Sequence, residues 1–130
     1  MLESPPCSKS EIDIYKNSQI VIGGDSCGGN LALGVISQIL HPMKGLTPLN
    51  LDGHLAGVLL ISPWVNFGED TPSFTANALK DCLHPPLLRE MVETYVADSD
   101  RNNYSEPYLA ESSWWQSFPA KSVLHLWGEI

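Results

Sequence analysis

Ile20-Val21-Ile22-Gly23-Gly24-Asp25-Ser26-Cys27-Gly28-Gly29-Asn30-Leu31-Ala32-Leu33 decides how this chain is read. An apolar, β-branched run enters a glycine-rich corner with a serine at its apex, and an apolar stretch of helical character follows. The order is strand, sharp turn, helix. Gly24, Ser26 and Gly28 satisfy G-x-S-x-G, the nucleophile elbow, in which a serine sits on a strained strand-to-helix turn with its hydroxyl exposed at the end of a sheet. The flanking glycines answer a steric need, because a side chain at either position is expected to collide where the backbone doubles back. Strain of this kind clusters at functional sites.

Two other glycine-rich readings fail on the residues. Asp25-Ser26-Cys27-Gly28-Gly29 looks like the G-D-S-G-G of trypsin-like proteases, but a cysteine is inserted, a helix follows, and an all-β pattern is missing. Gly24 to Gly29 has the spacing of a phosphate-binding loop, yet Asn30-Leu31 stands where Lys-Ser/Thr is required.

Working outward, residues 1–18 are polar with two adjacent prolines and read as a lead-in, with Ile12, Ile14 and Tyr15 available to cover core surface. Gln19 to Gly23 reads as a buried strand, apolar without alternation, as in a parallel sheet covered on both faces. A helix is expected from about Cys27 to Leu40, stopping before Pro42. Its apolar positions cover most of the circumference, which predicts a central, packed helix. His41 to His54 is a connection punctuated by Pro42, Gly45, Pro48 and Gly53. Leu55 to Ser62 is a second buried strand, and strand-helix-strand makes a βαβ unit the default. Pro63-Trp64 would then lie near Ser26, at the carboxyl ends of the strands where such sheets bind ligands. After an irregular stretch, Pro86 starts a helix whose Leu87, Leu88, Met91, Val92, Tyr95 and Val96 form one apolar face. Asp98 to Ser113 is a polar loop, Trp114-Trp115 begins a docked segment, and Ser122 to Trp127 is a third strand.

Composition narrows the function. With 15 acidic against 7 basic residues among 130 and a formal net charge of -8, nucleic acid is disfavoured, because its backbone needs a Lys/Arg surface. Cys7, Cys27 and Cys82 form neither a disulfide framework nor a metal-binding spacing. No metal and no cofactor is therefore expected, and a reducing compartment fits. The start of the chain lacks the basic and apolar regions of a signal peptide, and no run reaches membrane-spanning length. The location is left open, with the cytoplasm favoured. Asn103-Tyr104-Ser105 fits the glycosylation pattern, which matters only in a secreted chain.

Gly24-Asp25-Ser26-Cys27-Gly28-Gly29-Asn30-Leu31-Ala32 resembles the G-D-S-A-G-G-N-L-A elbow of the hormone-sensitive-lipase-like branch of α/β-hydrolases, which are carboxylic-ester hydrolases. Leu59 to Val65 resembles the strand after the elbow helix, and Ser105-Glu106-Pro107 with Val123 to Glu129 resembles the segment leading to the acid-bearing strand. The flavour is that of fungal esterases acting on acetylated sterols or other small hydrophobic esters. The resemblance implies an α/β domain with a mostly parallel sheet of about three strands and flanking helices. The resemblance runs from about Gln19 to the end, and the chain reads as one partial domain: lead-in 1–18, elbow unit 19–62, a cap-like and helical segment 63–118, and a late strand 119–130.

The resemblance also implies roles. Ser26 is the nucleophile, the backbone N–H of Cys27 gives one oxyanion donor, and Gly24, Asp25, Gly28 and Gly29 build the elbow. Trp64 contacts the substrate, and the apolar face of the later helix lines part of the pocket. Asp25 is expected to hydrogen-bond locally, and Cys27 to replace a small packing alanine. An H-G-G-G-type loop is not found before Gln19. The family pattern places the acid one residue beyond Ile130 and the histidine later still, so the sequence reads as an internal piece of such an enzyme. Glu129 is a stand-in acid at the wrong offset, and His41, His54, His84 and His125 read as structural or exposed. The alternative function is an inactive fragment or a binding module for an apolar ligand or a protein, prone to self-association through an exposed sheet edge.

Overall fold

The computed structural model describes residues 16–77, 80, 82–97 and 100–128. The elements run β1 (Val21–Asp25), α1 (Cys27–Leu40), β2 (Gly57–Ile61), the short α2 (Pro72–Ala76), α3 (Pro85–Tyr95) and β3 (Val123–Leu126), with single 3-10 turns at Asn17–Gln19, Pro107–Leu109 and Ser112–Trp115. The strands form one sheet in the order β1-β2-β3, with both pairs parallel and Gly24, Leu60 and His125 in register. The expected α/β architecture is therefore present, and every strand pair in it is parallel. Ile12, Ile14, Tyr15, Cys7 and Glu129 lie outside the described residues.

The first strand differs from the expectation in place and burial. It covers Val21–Asp25 rather than Gln19 to Gly23 and alternates between exposed and half-buried positions. Gly23 and Gly24 have no side chains to mark them as strand, yet the ladder with β2 runs through both to Asp25. Among the described residues β1 pairs with β2 alone, and its exposed and half-buried positions show that neither face is covered as its apolar run suggests. β2, the middle strand, buries Val58 and Leu60 instead.

α1 has the expected bounds but not the expected all-round packing. Gly29, Asn30, Ala32, Leu33, Ile36 and Ser37 are buried, a stripe that follows the helical period. On the other side Leu31 is 57% exposed and Val35 38%. The apolar part of the stripe faces the sheet, where Ala32, Leu33 and Ile36 pack with Leu55, Val58 and Leu60 as the core, while Asn30 and Ser37 are covered by the later segments that carry Ser105 and Trp114.

The docked segment after the polar loop is present and fixes the far end of α1. Trp114 donates its indole N–H to the buried Ser37 hydroxyl at 3.1 Å, and the His41 ring stacks on Trp114 with centroids 3.8 Å apart. α3 begins one residue earlier than expected, at Pro85. Both prolines fit the first turn, where a helix needs no N–H, and the Nδ1 of His84 accepts from the Leu87 N–H at 3.4 Å. β3 is exposed along its whole length. Among the described residues no helix is long and apolar enough to cross a membrane.

Candidate active site

The elbow forms because a strand must reverse into a helix within one residue. Ser26, the residue between β1 and α1, has φ 54° and ψ -117°, a backbone region that L-residues enter only when their surroundings impose it, at a cost of about 1–3 kcal/mol. Four interactions hold it there. Its N–H continues the ladder to the Ile61 carbonyl at 2.9 Å, while its carbonyl accepts from Gly29 at 3.0 Å and Asn30 at 3.2 Å inside the helix and from Trp64 at 2.9 Å across the sheet end. Ser26 is exposed.

Gly24 is required where the chain doubles back, since a Cβ there would lie 2.2 Å from the backbone of Gly28. Gly28 departs from its expected role, because a Cβ at that position meets nothing within 4 Å. Gly29 is the crowded partner instead: its Cβ would lie 2.7 Å from the Pro63 side chain. The close approach is between the first turn of α1 and the segment leaving β2, and Gly29 rather than Gly28 faces it.

The Cys27 N–H, at the start of α1, has no acceptor within the chain among the described residues. It is an orphan donor at a helix N-terminus, where the helix dipole favours negative charge. Asp25 departs from its expected local hydrogen bonding. It ends β1 exposed, so its carboxylate faces solvent and no side-chain partner is assigned to it among the described residues.

Beside the elbow lies a cavity of about 570 Å³ between α1 and α3, with Cys27, Leu31 and Trp64 on one side and Leu87, Met91 and Tyr95 on the other. This size is typical of a small-molecule pocket. Trp64 lies just past the end of β2 beside Ser26, and Leu87, Met91 and Tyr95 from the apolar face of α3 line the cavity. Ser26 is not itself among the lining residues; its neighbour Cys27 is. Cys27 and Cys82 are both exposed free thiols.

One residue organises this region without having been singled out in the sequence. Asn30, 2% exposed, sits one helical turn after Ser26. It donates both amide hydrogens at 2.8 Å, to the carbonyls of Trp64 and Ser105, and its oxygen accepts from the Tyr95 hydroxyl at 3.0 Å. Trp64 is therefore held through its N–H by the Ser26 carbonyl and through its own carbonyl by Asn30, and α3 is tied to the same side-chain amide. Burial pushes the Tyr95 phenol above its ordinary value, and the charge of Cys27 adds to that shift. The available signal was an amide on the apolar side of a helix, where a polar group needs partners.

A second unforeseen group braces the strand exits. Glu106 is 1% exposed and accepts two hydrogen bonds from the Arg101 guanidinium, at 2.7 and 2.8 Å, and one from the Phe67 N–H at 2.8 Å. Burial pushes its carboxyl up, but the Arg101 hydrogen bonds, the Phe67 N–H and the guanidinium charge outweigh that and leave it below the usual carboxylate range.

The histidines lie elsewhere. His41 caps the opposite end of α1, about 21 Å along a 14-residue helix, and its Nε2 donates to the Trp114 carbonyl at 2.8 Å. His84 caps α3, His54 is exposed in a loop, and His125 lies in β3 beside the Trp127 ring. None hydrogen-bonds Ser26 among the described residues. No group of three or more His, Cys, Asp or Glu side chains suited to a metal ion occurs among them either.

A family model described as the alpha/beta hydrolase fold matches residues 7–125. The chain belongs to that family. It is also similar to the crystal structure of EstE5-PMSF (I), with a TM-score of 0.60 and 21% sequence identity over 92% of this chain. That match covers 46% of the EstE5 chain, so the present chain spans a little under half its length. A search of curated proteins finds no match.

Proposed function

We propose that this chain carries the nucleophile-bearing part of a serine carboxylic-ester hydrolase acting on small hydrophobic esters, of which acetylated sterols are one candidate class. The observation that carries the reading is the backbone of Ser26, held at positive φ between a parallel strand and a helix by hydrogen bonds from both sides of the turn. In the reaction, Ser26 Oγ attacks the ester carbonyl carbon, its proton passes to a base, and the carbonyl oxygen takes up negative charge facing the Cys27 N–H. Collapse expels the alcohol, and water then releases the acid from the acyl-serine. The cavity lined by Trp64 and α3 would receive the apolar part of the ester.

The same geometry supports a second reading of the 130-residue chain by itself, as a binder of apolar ligands with weak chemistry. Ser26 has no histidine partner among the described residues, and a serine hydroxyl without a base is a poor nucleophile at neutral pH. Self-association is a further proposal, supported by the edges of β1 and β3, which have no further strand beside them among the described residues, and by exposed Val21, Leu124 and Leu126.

Sulfonylation tests the nucleophile, because a covalent adduct accumulates even when it forms slowly. PMSF, the reagent named with the EstE5 structure, is expected to give one adduct that maps to Ser26 and disappears in Ser26→Ala. Modification elsewhere with Ser26 free would count against the assignment.

A further inference from the structure

The pocket's polar groups are almost all engaged. Both amide hydrogens and the oxygen of Asn30 have partners, the Tyr95 hydroxyl donates to that oxygen, and the Thr94 hydroxyl donates to the Glu90 carbonyl at 2.7 Å. The groups left without a partner among the described residues are the Trp64 indole N–H, the thiol and backbone N–H of Cys27, and the carboxylate of Glu90, which lines the cavity from an exposed position on α3. It is the only formally charged side chain lining the cavity, and no cation pairs with it among the described residues. The adjacent Arg89 is committed to Glu69, at 2.7 and 2.8 Å.

We infer that this pocket selects apolar organic cations, with Glu90 as the specificity-determining residue, so that the ester it favours carries an ammonium group on an apolar body. The proposal deepens the ester-hydrolase reading and rests on it. Three features of the lining act together. Leu31, Leu87 and Met91 offer apolar surface to the body of the ligand, the aromatic residues Trp64 and Tyr95 line the same cavity, where a π system attracts a positive centre, and Glu90 is the one formally charged residue among the lining. A carboxylate- or sulfonate-bearing ligand would meet Glu90 as a like charge. The formal net charge of -8 acts in the same sense at longer range.

Three probes of similar size separate these effects on the full 130-residue chain: phenyltrimethylammonium, its neutral isostere tert-butylbenzene, and anionic benzenesulfonate. Affinities come from NMR titration, with the Met91 methyl and Trp64 indole signals reporting location. The expected order is cation, neutral, anion, with the cation about fivefold tighter than the neutral isostere at low salt and the advantage shrinking as salt rises. Glu90→Gln, a substitution at an exposed position, should shrink the cation's advantage to the part the aromatic rings supply and leave the neutral compound unchanged. The proposal is overturned if the neutral isostere binds as tightly as the cation, if the preference is undiminished in Glu90→Gln, or if no probe shifts the Met91 and Trp64 signals. Because binding is read without turnover, these outcomes are independent of whether Ser26 can be sulfonylated.

Discussion

α1 and α3 form the two walls of the same pocket, but they are attached to the protein in different ways. α1 lies on the sheet through apolar packing, with Ile36 and Val58 at 0% and 2% exposure and backbone approaching backbone where Gly24 meets Gly28. α3 buries only Val92 and is held by directional contacts: the Tyr95–Asn30 hydrogen bond, the edge of Tyr95 against Phe67, and the exposed Arg89–Glu69 pair. The lesson is that the elbow wall is set by volume and cannot shift without losing the core. The opposing wall is set by a few polar atoms and can be loosened one atom at a time.

The comparison is broken most severely at its tightest point. Gly24→Ala places a methyl carbon inside the Gly28 backbone, which cannot yield as a flexible side chain would, and a loss of about 3 kcal/mol or more is expected by urea denaturation. A smaller effect would mean that β1 and α1 are not in close contact. Next comes Glu106, which braces the pocket side. Glu106→Gln removes a carboxylate that Arg101 and the Phe67 N–H share, at a cost of about 3 kcal/mol. Because the folded carboxyl lies below its ordinary value, its contribution is complete above the unfolded pKa of about 4.3. It is lost as pH falls through the lower folded value. Stability should therefore drop on acidification below about pH 4, and Glu106→Gln should flatten that part of the profile.

Loosening α3 alone is a milder change. Tyr95→Phe keeps the ring beside Phe67 and removes only the hydroxyl, costing about 1 kcal/mol. Hydrogen exchange should then rise in α3 while α1 stays protected. Equal exchange in both helices would show that the two walls are coupled. The smallest effect is expected at Gly28, where a methyl group meets open space. Gly28→Ala should be neutral or stabilising by up to about 1 kcal/mol, and the contrast with Gly24→Ala sharpens the account of the elbow.

Legibility in the sequence follows the same division. The elbow, the bounds of α1, the docked Trp114 segment and the parallel sheet could be read because they depend on local periodicity and on a motif with a steric cause. The packing around α1 was misread because an apolar helix reports that it can be buried, not how many neighbours it has; Leu31 and Val35 are the result. β1 was placed two residues early because glycines give no strand signal. Asn30 was missed as an organising residue because its partners are distant in the chain, Ser105 being 75 residues away. Glu106 pairs with the nearby Arg101, but its contact with the Phe67 N–H, 39 residues away, is what ties it to the strand exit, and that part has no local signal.

The central proposal is that Ser26 has the backbone placement of a nucleophile but no base to activate it among the described residues, and hydrolysis of p-nitrophenyl acetate across pH by the chain and by Ser26→Ala tests it most directly. The account expects a feeble rate, below the roughly thousandfold to ten-thousandfold over water that a complete site retains after losing a triad member. It also expects the rate to climb with hydroxide and show no inflection near neutral pH. Robust, saturable turnover with a neutral-pH inflection, abolished in Ser26→Ala, would contradict it.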